Sequence, residues 1–367
     1  YEGLKKIPKN FIGYSLITEN NDEISTQEIN GENYCQVSLP PFSFTNFRKG
    51  KKQKHQTKKQ SDFALENELV QYNFSMDGTL TSALDKEVNK NLLSAPGNVL
   101  SLYEDRPLNW DAWDIDFYYR DSLLETARIE KINKVQSGSV LSSLEIHYNI
   151  GNSSIKQIIS LSNRSKRLDF DTIVNWHEKH KMLRVHFPTN IVSEQASFDI
   201  QYGYVKRNTH KNTSWDRAKF EVVGHKYADL SDNDYGIAIL NDCKYGYTIF
   251  DKTVDLNLLR SPNNPDPDAD LGEHSFTYSF YPHEHDLIRS NVIEESTRLN
   301  QPPLLFDHLK NIKSKSPINF EGEGIEISAI KKSEENNEII IRAVETLGKM
   351  SKGKVYFNGK ITETNLM

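Results

Sequence analysis

The chain has 367 residues, with 51 acidic and 45 basic side chains and a formal net charge of −6. That length exceeds one small core and predicts two or three domains, while the charge balance gives no reason to expect a nucleic-acid partner. Two cysteines, Cys35 and Cys243, rule out a disulfide framework and a thiolate zinc site by spacing and favour a reducing compartment; no apolar run approaches the ~20 residues of a membrane helix.

The opening YEGLKKIPKN has neither an initial Met nor a signal-peptide core, and the closing ITETNLM lacks a terminal element, so both ends read as cut from something longer. From Phe11 to Phe47 short apolar runs read as strands of a small sheet, one of them ended by Pro40-Pro41. The run RKGKKQKHQTKKQ, residues 48–60, has no apolar anchor and is expected to be a solvated, mobile loop. Met76-Asp77-Gly78 signals a hairpin within 63–80.

Residues 94–121 then concentrate tryptophan, tyrosine and carboxylates around Asn109-Trp110-Asp111-Ala112-Trp113-Asp114-Ile115-Asp116. Read as a strand, this stretch places Asp111, Trp113 and Ile115 on one face and Trp110, Asp114 and Asp116 on the other, so neither face is purely apolar. Two readings stand. In one, the rings meet the C–H face of a pyranose while the carboxylates accept hydroxyl hydrogen bonds; in the other, they form a structural knot.

Beyond Ala127 alternating strands recur at short spacing (SSLEIHYNI, IKQIISLS, LDFDTIVNW, MLRVHFP, ASFDIQYGYV, KFEVVGHKYADL, GIAILND, YGYTIFD, HSFTYSFYPH), and only residues 288–300 read as a helix. Ten or more strands in series argue for an all-β protein built on a large β-sandwich. Within it, 198–243 holds a polar loop between strands, crowded with Arg207, His210, Asn212, Thr213, Trp215, Asp216 and Arg217. After Gln301-Pro302-Pro303 a third, small sheet is expected, giving domains at 1–60, 61–306 and 307–367.

The metal motifs are weak. Asp266, Asp268 and Asp270 suggest a calcium loop, but Gly272 falls one place late and Thr277 stands where the loop needs Glu, so a turn is expected. His177 and His180 are one residue too close for a metalloprotease helix, and His274, His283 and His285 lack a matching carboxylate or Cys. The sequons at Asn73, Asn152, Asn163 and Asn212 matter only in a secretory pathway.

Five runs together, LYEDRPLNWDAWDID, NWHEKHKMLRVHFP, THKNTSWDRAKFEVVGHKYADLSD, YGIAILNDCKYGY and LLRSP…PDADLGEHSFTYSFYPH, resemble the C-terminal portion of family 38 glycoside hydrolases, the α-mannosidases, and most of all their cytosolic, vacuolar and bacterial subgroup. The resemblance covers most of 65–305. It implies a galactose-mutarotase-like sandwich flanked by smaller β-sandwich domains and placed after a catalytic barrel of the same polypeptide. It also implies retaining hydrolysis of α-mannosides, with zinc held by ligands outside this chain, and no catalytic or metal residue within it.

By the same resemblance, the loop of Trp110, Asp111 and Asp114 and the loop of Arg207, Asn212 and Asp216 are the expected substrate-binding residues. The implied partners are an α-mannoside or oligosaccharide and the barrel; a nucleic acid or a membrane is not among them, self-association is compatible, and the compartment is cytoplasmic. Two other readings remain at this stage: a free-standing carbohydrate-binding module, and an aldose-epimerase-like enzyme using His177 or His210 with a carboxylate.

Overall fold

The computed structural model describes all residues except 30, 54–57, 60, 61, 134, 307–315, 317 and 365–367. Its centre is two facing β layers. The first is an eleven-stranded antiparallel sheet running Gly203–Asn208, Gln195–Ile200, Tyr227–Ser231, Tyr235–Asn241, Gly272–Glu284, Leu168–Trp176, Ser153–Ser162, Leu141–Ile150, Gln136–Ser137 and Lys58–Lys59, with Arg128–Ile132 also pairing on Leu141–Ile150.

The second layer has two parts. A six-stranded sheet runs Leu123–Thr126, Val99–Glu104, Lys181–Pro188, Thr253–Arg260, Gly246–Phe250, Val222–Val223; a four-stranded one runs Lys90–Asn91, Leu80–Asp85, Val70–Phe74, Ala64–Glu66. Single bridges, Leu80 to Gly97 and Leu93 to Thr189, join them. One continuous core takes side chains from all three sheets. The expected all-β sandwich is therefore what forms.

Strand alternation explains how the layers face each other. In Leu168–Trp176 every second side chain, Leu168, Phe170, Thr172, Val174 and Trp176, is buried. Phe170 stacks on Tyr278 at 4.9 Å within the eleven-stranded sheet and meets Phe187 of the opposite layer at 5.9 Å. Phe187 also meets Phe280 at 5.5 Å.

Three polar side chains inside this core satisfy one another in a closed ring. Asn98 Nδ2 donates to Gln157 Oε1 (2.9 Å), Gln157 Nε2 to the Tyr278 hydroxyl (2.6 Å), and that hydroxyl to Asn98 Oδ1 (2.6 Å).

Residues 1–53 form two three-stranded sheets over Ile7, Leu16, Cys35 and Val37. They are fastened to the sandwich by Gln27, whose Oε1 accepts from the Val140 and Leu141 amides at 2.7 and 3.0 Å while its Nε2 donates to the Leu141 carbonyl at 2.8 Å.

Three expectations change. Arg48–Lys52 is a strand rather than a mobile loop, pairing antiparallel with Tyr14–Ile17 (Leu16 opposite Lys49, Ile17 opposite Arg48), and Lys49 also lays its ammonium 4.9 Å from the Tyr14 ring centroid; residues 54–57 and 60 of that run lie outside the described residues. The predicted helix begins at Val292, after a short 3₁₀ turn capped by Asp286. The C-terminal strands form two separate ribbons, Ile318–Gly322 with Gly353–Phe357 and Ile325–Lys332 with Ile339–Glu345, rather than one sheet.

Since Phe170 touches aromatic rings of both layers, Phe170→Ala should lower unfolding free energy by about 3–5 kcal/mol. Urea denaturation measures this, and a change under 1 kcal/mol by the same yardstick would mean that the layers are not held together there.

Candidate functional site

The six-stranded sheet has an apolar inner side and a polar outer side. Leu183, Val185 and Phe187 of Lys181–Pro188 join the core, while Arg184 and His186 point outward. From Thr253–Arg260, Val254 and Leu256 face the core and Asp255 faces out. The Arg184 side chain is nevertheless completely buried.

A buried guanidinium must be paired, and here two carboxylates do it. Arg184 Nε donates to Asp255 Oδ1 at 2.6 Å, and Nη1 donates to both Glu221 oxygens at 3.1 and 3.0 Å. The Tyr119 ring centroid lies 5.3 Å from the guanidinium, and the Tyr119 hydroxyl donates to Glu221 Oε2 at 3.0 Å. Asp255 Oδ2 also meets His186 Nδ1 at 2.7 Å, and the other ring nitrogen lies 3.2 Å from the Tyr103 hydroxyl.

The two acids of this cluster are pushed apart. Burial works against ionising Asp255, but Arg184 and His186 together outweigh it and hold its carboxyl well below the usual range. Burial raises the Glu221 carboxyl despite Arg184, and the neighbouring Asp255 charge adds to the rise.

What covers Arg184 is residues 105–122, which cross the outer face of the sheet. At the crossing, Phe117 meets Phe220 edge-on at 6.4 Å, and Arg120 Nη2 donates to the Phe220 carbonyl (2.8 Å) and to Thr248 Oγ1 (2.6 Å). The two loops marked in the sequence thus come together, but through Phe117, Tyr119, Arg120, Phe220 and Glu221 rather than through the residues expected to bind substrate.

Residues 109–116 are a turn, not a strand, so the expected face-sharing of Asp111, Trp113 and Ile115 does not occur. Trp110 adopts φ 55°, and its carbonyl accepts from the Trp113 and Asp114 amides at 2.8 and 2.9 Å. Arg260 fixes the turn: it pairs with Asp105 and donates to the carbonyls of Asp111 (2.9 Å), Ala112 (3.2 Å) and Asp114.

Asp111 faces inward, its Oδ2 accepting from the Asn263 and Asn264 amides at 2.7 and 3.0 Å, with His180 Nδ1 3.4 Å from the other oxygen. Trp110 and Trp113 are each 70% exposed, and Asp114 is exposed beside them. The loop thus has a carboxylate knot beneath and exposed indole rings above.

In the second loop Asp216 closes a capping box on the short helix Ser214–Ala218. Its carboxylate accepts from Thr213 Oγ1 (2.7 Å), the Thr213 amide (3.2 Å) and Asn208 Nδ2 (2.9 Å); the bonds from Thr213, then Asn208, hold it below its ordinary pKa. Arg207 lies 4.7 Å over the Phe198 ring and donates to the Val223 carbonyl at 2.9 Å, and Asn212 and Trp215 are exposed.

The histidine motifs resolve into structural contacts. Glu178, between His177 and His180, is buried and accepts from the Ser153 hydroxyl at 3.1 Å and from Lys181. His283 pairs with Asp229 at 2.7 Å, whereas His274 sits near the other end of the same strand, bonded to the Asp270 carbonyl at 2.7 Å. Asp266 accepts from the Asp268 amide at 3.0 Å, as a turn does. His210 lies 3.7 Å from Asp216, and His177 has no carboxylate partner among the described residues.

Residues 65–268 match the family model for the glycosyl hydrolases family 38 C-terminal domain, and residues 324–367 match that for the family's C-terminal β-sandwich domain. The chain is 38% identical over 304 residues to "Alpha-mannosidase G" of Dictyostelium discoideum, covering 78% of this chain and 28% of that protein. It is 38% identical over 247 residues to "Alpha-mannosidase 2C1" of Mus musculus (65% and 24%) and 40% identical over 217 residues to the "Alpha-mannosidase" of Saccharomyces cerevisiae (57% and 20%). The chain thus spans between 20% and 28% of the length of these relatives. A family 38 glycosyl hydrolase structure from Enterococcus faecalis superposes with a TM-score of 0.72 at 17% identity, covering 90% of this chain and 46% of that one, a likeness of fold.

The charge cluster predicts a pH-dependent variant. A carboxyl held below its unfolded value contributes stability that is present above about pH 4 and lost as pH falls through the folded value. Asp255→Asn should therefore cost about 3–5 kcal/mol at pH 7, and its melting temperature should approach that of the unaltered protein below about pH 4. A gap independent of pH would contradict the assignment.

Proposed function

Because the chain belongs to glycosyl hydrolase family 38, we propose that it is the non-catalytic C-terminal portion of a zinc-dependent, retaining α-mannosidase. In this reading it builds one wall of the pocket for terminal α-mannosyl residues and supports the catalytic barrel upstream in the same polypeptide. The observation that carries the proposal is the match of residues 65–268 to that family's C-terminal domain, with the relatives named α-mannosidase extending well beyond this chain.

The surface supports the same reading. Leu108, Trp110, Trp113, Phe117 and Trp215 are 81, 70, 70, 61 and 79% exposed, all on the loops over or beside the outer face of the six-stranded sheet. Apolar side chains gathered on one side mark a contact surface, and the absent barrel is the partner that we assign to it. Trp110, Asp114 and Asn212 then present to substrate, while Asp111, Arg207 and Asp216 hold the loops in shape.

Among the described residues no three His, Cys, Asp or Glu side chains group to hold a metal. The zinc ligands belong, in the proposal, to the upstream part. The division into 1–60, 61–306 and 307–367 belongs to the proposal as well, supported by the two small sheets within residues 2–52 and the two ribbons within 318–357, although Lys58–Lys59 pairs with the eleven-stranded sheet across the first boundary. So does a cytoplasmic location, which suits the free Cys35 and Cys243; no helix among the described residues is long and apolar enough to cross a membrane. Nothing in this reading requires a second copy of the chain.

In the full-length protein, Trp110→Ala should lower kcat/KM for an aryl α-mannoside by about three- to tenfold, the equivalent of about 0.5–1.5 kcal/mol of ring contact, with the melting temperature held. Unchanged kinetics would remove Trp110 from the pocket. Arg260→Ala frees the turn that carries both indoles and should lower kcat/KM at least as far, by about tenfold; kinetics unchanged in that variant would mean that the turn does not shape the site.

A further inference from the structure

A second concavity is lined by no residue of the 105–122 or 209–221 segments. Between the edge hairpin Gln195–Ile200/Gly203–Asn208 and the ribbon Ile325–Lys332/Ile339–Glu345 is a cavity of about 410 Å³, which falls in the range of about 300–1,000 Å³ typical of small-molecule sites. Its walls combine an aromatic platform with convergent polar groups.

The platform is Tyr245, 49% exposed and braced edge-on by His225 at 5.3 Å between ring centroids. Asp199, buried at the base, accepts the Lys226 amide at 2.9 Å with one oxygen, and the second oxygen has no partner among the described residues. Tyr227 is 1% exposed, yet its hydroxyl also has no partner among the described residues. Both residues line the cavity. The amide ends of Gln201 and Gln301 stand at the rim without hydrogen bonds among the described residues.

These groups specify a ligand class. A ring face suits the C–H face of a pyranose, a carboxylate takes hydroxyl protons, and amides and a phenol both give and accept hydrogen bonds. Anions are disfavoured: Asp199 and Glu326 face a single cation, Lys226, whose ammonium is 3.8 Å from Glu326. A neutral, hydroxyl-rich ring answers to all of these features.

We propose that this cavity is a second saccharide site, binding one neutral hexose unit between the sandwich edge and the C-terminal ribbon. It holds a remote part of an oligosaccharide and takes no part in bond cleavage, so small aryl glycosides do not report on it.

The test is titration calorimetry on the full-length protein with methyl β-D-mannopyranoside and methyl β-D-glucopyranoside, neither of which offers an α-mannosidic bond. At least one glycoside should bind at millimolar concentration, and Tyr245→Ala and Gln301→Ala should each weaken it about tenfold while leaving melting temperature and aryl α-mannoside turnover unchanged. Binding unaltered in both variants, or no binding of either glycoside, overturns the proposal. Failure of the unaltered protein to cleave the aryl α-mannoside would count against the mannosidase reading alone.

Discussion

A guanidinium with no exposed surface, Arg184, sits on the outer side of a sheet where solvent would otherwise reach it. A charge in that position is tolerable only if it is paired with opposite charge and covered, and here Nε and Nη1 are paired while Nη2 is buried without a partner. Asp255 comes from the neighbouring strand, Glu221 from the end of the 209–221 loop, and Tyr119 from the segment that crosses above. One cation thus draws three distant parts of the chain to one place, and both loops end at anchors it sets. Arg260 repeats the device on the first loop, gathering Asp105 and three carbonyls around a single side chain.

The consequence is a division between what is fixed and what is offered. Carboxylates that might have met a sugar, Asp111 and Asp216, are spent on backbone amides and a helix cap, so side-chain hydrogen bonds hold the shape of their loops. The side chains left outside these bonds are indoles and exposed polar groups mounted on the same turns. That arrangement suits a wall completed by another part of the polypeptide, because a preorganised surface loses little entropy when its partner arrives. Beneath it, the aromatic contacts of Phe170, Phe187 and Tyr278 keep the two layers in register.

Much of the sandwich was legible from strand alternation, as Leu168–Trp176 illustrates: its buried residues fall on every second position and its polar ones between them. The turn at Trp110 was not legible, because Arg260, which holds it, lies 146–149 residues away. Arg184 and Asp255 carried a signal, a charge inside otherwise apolar strands, but not the identity of the partner 71 residues distant. The Thr213 to Asp216 spacing is a capping-box pattern that announces the short helix, although the density of polar residues there reads first as loop. Family resemblance rested on five motifs in order, and the matches to residues 65–268 and 324–367 fall on that stretch and beyond it.

The most direct measurement is hydrolysis of an aryl α-mannoside by residues 1–367 alone and by the full-length protein, each with and without added zinc. The account requires turnover by the full-length protein and none by residues 1–367 in either condition. Turnover by residues 1–367 would contradict it, and would place catalytic carboxylates within a chain whose acids at Asp111, Asp216, Asp255 and Glu221 are otherwise committed to holding the fold.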